Sequence, residues 1–593
     1  MTVCSVDIAH RAGVAVVTMA AGVLVISAAY AAGRHGSPGS AWHAAYWLGE
    51  ALLFGPLAWR LLSRSGPGES EAAGLVLCAA AATYLVKVAY SPAAFRFPDE
   101  LEHLRTTSNL LSSHHLFGVN YLLPVSAFYP GLEEVTGAVV TLTGLPVFTA
   151  GLIVAGLAHV LFAAALFVVF RQVSGSPRIA AAACAIYATN PHYQVFDAIY
   201  GYQTLALAFF GLALAAALDR IRWVLAVTMI AATVITHHVT SYVLAGSLLL
   251  LTGVGAFRRR FRQYGFLSVA ILAAACLGLV VLWVALAAPG TVSYLEPTVR
   301  GLTGVFTSHR SAGSGAPAGP LTDQLASYAA TALIMIGLPF GWWQIWRKQR
   351  HNTWALALGA GSSAYYLAAL VRVAVPDGSE LAGRSLTFIY IPVGYTLAMA
   401  AAGPVRALLR RITVPRRITR SSRPAFAAAA GILLVGGIAA GWPPYWERLP
   451  GQYFVDGFES GITTEGIAAA TWARTTLGPG QRIAADFTNY LLLGSYGDQD
   501  PVGDLDALYC GPGWTDDDEA LANQQAIGYL LVDLRMSEQA AVTGGYFADS
   551  SAVCPSPIPR QDLTKFDAVP GFDRVYDSGN IVIYARAGAQ DAP

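Results

Sequence analysis

Long apolar stretches alternate with short polar ones along most of this chain. Each stretch runs for about 17 to 25 residues, the length that an α-helix needs to cross a hydrocarbon layer of about 30 Å. The pattern therefore predicts an α-helical polytopic membrane protein with about thirteen transmembrane helices. The predicted spans lie near 14–33, 42–62, 72–91, 148–170, 178–196, 200–218, 222–237, 239–257, 265–288, 324–346, 353–373, 385–403 and 424–445.

The seventh and eighth spans are separated by a very short polar break. The sequence from Ile221 to Phe257 is almost continuously apolar, and the break within it reads Thr236-His237-His238-Val239-Thr240. Two histidines with flanking threonines are costly at the centre of a bilayer. We therefore predict a turn between two helices at this point.

The pattern changes near Trp446, where long apolar runs end. Residues 446–593 contain shorter helix-like and strand-like segments, and Ser578-Gly579-Asn580 is typical of the turn of a β-hairpin. The sequence thus predicts two domains: a transmembrane domain at 1–445, with a large outer loop at 92–147, and a soluble α/β domain at 446–593. Cys510 and Cys554 fall in the second domain, where an extracytoplasmic location would permit a disulfide.

The composition supports a membrane protein and argues against a nucleic-acid-binding protein. Hydrophobic residues make up 55% of the 593-residue chain, charged residues make up 12%, and the mean hydropathy is +0.50. The net charge is only +1, and Lys and Arg occur in short loops between apolar runs. No basic face for nucleic-acid phosphates is expected from this arrangement.

The basic loops predict the orientation of the chain in the plasma membrane. Clusters of Lys and Arg at 258–262, 347–350 and 406–423 are expected on the cytoplasmic side. Smaller clusters around Arg60, Arg171 and Arg220 fall on the same side when the spans are counted back. The N-terminus is then cytoplasmic, and the C-terminal domain is extracytoplasmic.

With this orientation, several ionisable residues from separate segments meet the outer face. Such groups are costly near a membrane unless they face a hydrated cavity, so a shared cleft is the economical explanation. The candidates are Asp99, Glu100, Glu102, His103, Arg105, Asp197, His237, His238, Glu380 and Arg384.

The stretch Phe97-Pro98-Asp99-Glu100-Leu101-Glu102-His103-Leu104-Arg105 has the most distinctive chemistry. Pro98 can start a helix, and a carboxylate in the first turn, Asp99 or Glu100, could accept a proton from a hydroxyl group or hold a divalent metal ion. A solvated loop is the simpler alternative for this stretch.

The remaining candidates also have a functional and a structural interpretation. Arg384 has a planar guanidinium suited to a phosphate, but it stands four residues after Glu380 and could form an ion pair with it. His237 and His238 could assist at a phosphate or could be a hydrogen-bonded pair that ends a helix.

Many spans, an outer loop that opens with an acidic pair, and a soluble C-terminal domain resemble the GT-C superfamily of integral membrane glycosyltransferases. Protein mannosyltransferases, aminoarabinose transferases and actinobacterial arabinofuranosyltransferases have a similar layout. The chain departs from the pattern in two ways. It has no Trp-Trp-Asp-Tyr-Gly run, which speaks against an oligosaccharyltransferase, and three spans precede the acidic loop where one is usual.

The resemblance implies an enzyme that transfers a sugar from a polyprenyl-phosphate donor to a glycan, lipid or protein acceptor in the cell envelope. It implies that the acidic residue of this loop, Asp99 or Glu100, is the general base, with inversion at the anomeric carbon. We expect Asp99 to be the base and Glu100 to be a second carboxylate or a ligand of Mg²⁺ or Mn²⁺. Arg384, His237 and His238 are expected near the donor phosphate, and Glu102, His103, Arg105, Asp197 and Glu380 in the cleft. A transporter or flippase of a lipid-linked or small solute is the alternative, since it would use similar spans and buried charges.

Overall fold

The computed structural model describes residues 2–36, 39–63, 65–257, 265–294, 319–374, 378–402, 423–548 and 554–587. The basic loops predicted at 258–262 and 406–423 lie almost wholly outside these residues. Within them the chain is mostly helical, and every predicted span coincides with one or two helices.

The described residues of the membrane part form sixteen α-helices. They are α1 (Thr2–Arg34), α2 (Ser40–Leu62), α3 (Glu69–Tyr90), α4 (Pro98–Ser113), α5 (Gly131–Thr143), α6 (Val147–Ser174), α7 (Pro177–Tyr187), α8 (Tyr202–Ala217), α9 (Trp223–Thr236), α10 (His238–Phe257), α11 (Gly265–Leu286), α12 (Leu321–Gln349), α13 (Thr353–Gly361), α14 (Ala364–Ala374), α15 (Gly378–Ala402) and α16 (Arg423–Ala440).

Among the described residues of this part, eight segments are long and apolar enough to cross a membrane. Helices α8, α9 and the apolar part of α16 are also apolar but have fewer than 18 residues. A multi-pass membrane protein is therefore confirmed, whereas the count of thirteen spans stays a prediction.

Two predicted spans differ from the helices found. The span at 178–196 corresponds to α7, which has 11 residues and ends at Tyr187. At a rise of 1.5 Å per residue this helix is only about half a bilayer long. The span at 353–373 is interrupted at Ser362 and Ser363, which separate α13 from α14. The turn predicted at the two histidines is confirmed, because α9 ends at Thr236 and α10 begins at His238.

Basic side chains gather at one end of the helix bundle. Arg60 near the end of α2 forms an ion pair with Glu71, and Arg171 near the end of α6 pairs with Glu69 at 2.9 Å. Arg178 at the start of α7 donates to the carbonyl oxygens at the end of α2. Arg60, Arg171 and Arg178 therefore share one end of the bundle, as the charge pattern predicted.

The loop at 92–147 contains two helices. Helix α4 begins at Pro98 in the N1 position, as predicted, and the Glu100 carboxylate accepts from the Phe97 backbone N–H at 3.4 Å to cap it. Helix α4 packs against α5 and against a helix of the C-terminal part. Through these contacts the loop is part of the compact structure.

The C-terminal part contains a sheet of five strands: β1 (Arg482–Ala484), β2 (Asp500–Val502), β3 (Tyr529–Asp533), β4 (Phe572–Asp577) and β5 (Ile581–Arg586). Their order in the sheet is β2-β1-β3-β5-β4. Strands β1 to β3 are parallel, and β4 and β5 form the predicted antiparallel hairpin. Cys510 and Cys554 form a disulfide, with Cα atoms 5.4 Å apart. The α-helices in the described residues of this part are α17 (Thr464–Trp472), α18 (Phe487–Ser495), α19 (Asp516–Gln524) and α20 (Arg560–Thr564).

Candidate functional site

A cavity of about 1200 Å³ opens beside the start of α4, at the end of the bundle away from Arg60 and Arg171. It is bounded by α4, the turn after α7, one face of α12, the start of α15, the end of α16 and the segment that leads into the C-terminal part. Its polar lining consists of Asp99, Glu102, His192, Asp323, Gln324, Ser327, Thr331, Arg384 and Glu459. Its aromatic lining consists of Phe97, Phe196, Tyr328, Tyr365, Trp442, Tyr445, Trp446, Phe458 and Phe487.

Helix α4 divides the acidic stretch between two faces. Asp99 and Glu102 are three residues apart, so they lie on the same side of the helix, and both line the cavity. Glu100 and His103 are also three apart, but they are fully buried on another side. The helical repeat thus gives the cavity two carboxylates from this stretch.

The two cavity carboxylates affect each other. Burial raises the pKa of Glu102 well above its usual range, and the neighbouring Asp99 raises it further. The positive charge of Arg384 acts in the opposite direction. Arg384 is therefore close enough to interact electrostatically with Glu102 across the cavity.

Arg384 and His192 lie together on the far wall of the cavity. The Arg384 guanidinium stands over the ring of Phe196, 5.6 Å from its centre. A side chain at Gly383 would come within 3.3 Å of His192 Nε2, so the glycine allows α15 to approach the histidine. His192 Nδ1 is buried and has no hydrogen-bond partner among the described residues.

Glu100 does not line the cavity, contrary to its predicted role beside Asp99. Its carboxylate forms an ion pair with Lys87, and both side chains are almost completely buried. It also accepts hydrogen bonds from the backbone N–H groups of Tyr200 at 3.1 Å and Arg96 at 3.2 Å. Because these donors and the cap at Phe97 occupy its oxygens, Glu100 stabilises the fold and does not form a metal site with Asp99.

His103 and Arg105 also lie outside the cavity. The His103 ring contacts Glu133 through Nδ1 at 2.7 Å and accepts from the Tyr202 backbone N–H at 3.3 Å through Nε2. Arg105 donates to the carbonyl oxygens of Gly494 and Gln499. His103 therefore connects α4 to α5 and α8, and Arg105 connects α4 to the C-terminal part.

Asp197 is buried among donors within the helix bundle. Its carboxylate accepts a hydrogen bond from Thr387 at 2.8 Å. Three further donors lie at 3.3 to 3.4 Å: Tyr187, Asn190 and Gln203. The side chain thus fixes the turn after α7 to α15 and does not line the cavity.

His237 and His238 form an aromatic cluster behind Tyr202 and do not line the cavity. His237 Nδ1 lies 2.7 Å from the Thr240 hydroxyl, and its ring packs against Tyr202. The His238 ring packs against Tyr129 and Tyr294. The Glu380 side chain lies outside the described residues, so its predicted place in the cleft stays a prediction.

Several residues that line the cavity were not predicted from the sequence. His192 belongs to a polar turn that was visible as an interruption of the apolar pattern. Asp323, which accepts from Arg448 at 2.6 Å, lies in the first turn of α12, one residue before the span predicted at 324–346. Trp442 and Glu459 had no recognisable signal, because they come from the junction between the two parts of the chain.

The cavity is not equipped with a cluster of metal ligands in the described part of the chain. No group of three or more His, Cys, Asp or Glu residues converges there as a metal site. Asp99, Glu102 and Arg384 all line the cavity. The positive charge of Arg384 already interacts with the Glu102 carboxyl group.

The fold resembles a solved membrane protein, the ArnT of Cupriavidus metallidurans. The crystal structure of ArnT bound to undecaprenyl phosphate matches with a TM-score of 0.50 and 15% sequence identity, over 88% of this chain and 98% of that one. ArnT in the apo state matches with a TM-score of 0.48, 15% identity and the same coverage. No family model and no curated protein matches the sequence.

This comparison establishes the fold over most of the chain. The chain is therefore a multi-pass membrane protein with an ArnT-like fold. The membrane fold predicted from the sequence layout is confirmed as a likeness to the fold of ArnT.

Proposed function

We propose that this protein is an integral membrane glycosyltransferase that moves a sugar from a polyprenyl-phosphate donor to an acceptor at the outer face of the plasma membrane. The observation that carries the proposal is the pairing of Asp99 and Glu102 with Arg384 in one large cavity. A carboxylate for the acceptor hydroxyl and a guanidinium for a phosphate are the groups that this reaction needs. The ArnT-like fold supports the same class, because ArnT was crystallised with undecaprenyl phosphate.

In this mechanism Asp99 accepts the proton of the attacking hydroxyl group. The oxygen of that hydroxyl forms the new bond to the anomeric carbon while the bond to the lipid phosphate breaks. Arg384 stabilises the negative charge that develops on the departing phosphate, and Phe196 holds the guanidinium in place. A single displacement inverts the configuration at the anomeric carbon.

Glu102 keeps its proton in the active state. Burial raises the pKa of Glu102 and favours its neutral form, and Asp99 is the carboxylate assigned to the acceptor hydroxyl. A neutral Glu102 also leaves the charge of Arg384 available to the phosphate. The carboxyl group then acts as a hydrogen-bond donor or acceptor for a sugar hydroxyl.

The charge pattern supports an outward orientation of the cavity. Arg60, Arg171 and Arg178 lie at the opposite end of the bundle, and basic residues favour the cytoplasmic side. We therefore propose a cytoplasmic N-terminus, thirteen spans and an extracytoplasmic C-terminal domain. A protease-accessible tag at the C-terminus should be cut from outside the cell, and protection of that tag would contradict the orientation.

The activity is tested with purified protein, a panel of polyprenyl-phosphate sugars and a glycan or glycolipid acceptor fraction. Asp99→Asn should lower the transfer rate by roughly 10² to 10⁴ without changing the melting temperature. The control is Glu134→Gln, since Glu134 is an exposed carboxylate in the same loop and should retain parent activity. Full activity in Asp99→Asn would refute the assigned base, and donor movement across liposomes without transfer would favour a transporter.

A further inference from the structure

A second pocket lies between the membrane helices and the C-terminal part. Its volume is about 230 Å³, and it is bounded by the last turn of α1, the chain after α3 and the segment from 450 to 464. It shares Glu459 with the large cavity and is otherwise lined by different residues. None of its lining residues takes part in the proposed transfer reaction.

Two arginines supply positive charge to this pocket. Arg34 and Arg96 both line it, and they are close enough for the charge of Arg96 to act unfavourably on that of Arg34. None of the ion pairs formed in the described part of the chain involves either residue. Like charges held together without an acidic partner are costly, and a bound anion would relieve that cost.

The position of Arg34 is fixed by the end of α3. Its Nη2 donates to the backbone carbonyl oxygen of Tyr90 at 2.7 Å and to that of Ala89. The side chain remains exposed, so its other N–H groups are accessible. No side-chain hydrogen bond of Arg96 is formed with the residues that the structure describes.

The carboxyl group in the pocket does little to neutralise the arginines. Glu459 Oε1 accepts a hydrogen bond from the Trp442 indole at 3.1 Å, and Glu459 Oε2 is buried without a hydrogen-bond partner among the described residues. Burial and the neighbouring Glu447 carboxylate raise the pKa of Glu459 well above its usual range, which favours the neutral form. The pocket therefore carries a net positive charge.

Neutral donors surround the two arginines. Thr463 and Thr464 line the pocket at the start of α17, where backbone N–H groups are also directed towards the helix end. A phosphate group offers several acceptor oxygens and a negative charge, and it matches this combination of guanidinium, hydroxyl and backbone donors.

We propose that the pocket of Arg34 and Arg96 is a binding site for a phosphate group, separate from the proposed transfer site. Arg34 ends the candidate span 13–34, which places the pocket near the membrane surface. The phosphate could belong to an anionic phospholipid headgroup or to a soluble phosphate compound, and the chemistry of the site is the same in both cases. The proposal does not depend on the glycosyltransferase function.

Binding is tested on the full-length protein in phosphatidylcholine nanodiscs, with radiolabelled inorganic phosphate in equilibrium dialysis. All variants carry Arg384→Gln, so that the large cavity contributes no binding through that residue. Adding Arg96→Gln should weaken phosphate binding by about tenfold or more, because charged hydrogen bonds are lost. Arg96→Lys should recover part of the affinity. The matched control is Arg474→Gln, since Arg474 is exposed on the C-terminal part and lies outside the pocket.

A second experiment distinguishes a lipid headgroup from a soluble phosphate compound. The same proteins are extracted from vesicles of phosphatidylcholine and phosphatidylglycerol, and their retained lipids are measured by native mass spectrometry. Retention of phosphatidylglycerol that depends on Arg96 assigns the site to a lipid headgroup, and binding of inorganic phosphate alone assigns it to a soluble compound. If Arg96→Gln lowers the melting temperature, both experiments are repeated with Arg34→Gln. Equal phosphate and lipid binding with and without these arginines would overturn the proposal.

Discussion

At the scale of single residues, neighbouring acids in α4 have different tasks because the helix points them in different directions. Asp99 lines the cavity, whereas the adjacent Glu100 is buried against Lys87. Helical spacing could have separated the two faces, but it could not indicate which face meets the cavity. That choice depends on Lys87, thirteen positions earlier, and on the backbone N–H of Tyr200, a hundred positions later.

The buried pair gives a stability prediction. Glu100→Gln should lower the free energy of unfolding by about 3 to 5 kcal/mol, because the Lys87 ammonium would remain buried without its counter-charge. Thermal or denaturant unfolding in detergent measures the change. Glu134→Gln is the exposed control and should stay within about 0.5 kcal/mol of the parent. A fully stable but inactive Glu100→Gln would instead indicate a catalytic role.

Glu102 gives a prediction about pH dependence. Its pKa is raised, so the carboxyl group stays protonated to a higher pH than a free glutamic acid and loses its proton as the pH rises further. The resulting charge would compete with the donor phosphate for Arg384, and activity should fall on the alkaline side. The glutamine side chain in Glu102→Gln does not ionise, so the pH–rate profile of this variant should lack the alkaline decline. An unchanged decline in the variant would contradict the assignment.

At the scale of elements, the cavity depends on the close approach of α16 to its neighbours. A side chain at Gly436 would collide with the backbone of Ala326 in α12, and one at Gly437 would collide with the backbone of Thr189. The turn that contains Thr189 also carries His192 into the cavity. Small residues commonly allow such approach between membrane helices.

The close approach of α16 to its neighbours predicts different effects for substitutions at two of its glycines. Gly437→Val should destabilise the protein by about 1 to 3 kcal/mol or more, because the backbone of the neighbouring turn would have to move. Gly431→Val is the matched control, since nothing lies within 4 Å of a side chain built there. Melting temperatures of both variants in detergent provide the comparison. Equal stability would mean that α16 can shift without affecting the turn.

At the scale of the whole molecule, the C-terminal part is built into the wall of the cavity. Glu459 and Phe487 line the cavity together with residues of the membrane helices. The Tyr496 hydroxyl accepts from the Phe95 backbone N–H at 3.1 Å and donates to the Phe95 carbonyl oxygen at 3.2 Å. Arg105 adds hydrogen bonds to Gly494 and Gln499. The two parts therefore position the start of α4 jointly.

This junction predicts that Arg105 supports activity from outside the cavity. Arg105→Met should reduce transfer and increase proteolysis between 446 and 500, because the carbonyl oxygens of Gly494 and Gln499 would lose their donor. Asp498 forms an ion pair with Arg105 at 2.9 Å, but its side chain is 41% exposed and its charge is screened by water. Asp498→Asn should therefore have a much smaller effect. Activity and limited proteolysis are measured on both variants. Parallel behaviour would contradict the importance of the carbonyl contacts.

The sequence by itself determined the membrane class, the positions of most helices, the start of α4 at Pro98, the turn at His237 and the C-terminal hairpin. These features follow from local properties: apolar length, proline geometry and turn residues. Only the tertiary structure decided that Asp99 and Glu102 meet Arg384 and His192, while Glu100, His103, Arg105 and Asp197 serve the fold. The reason is that burial and hydrogen-bond partners come from segments far apart in the chain, and residue type does not encode those partners.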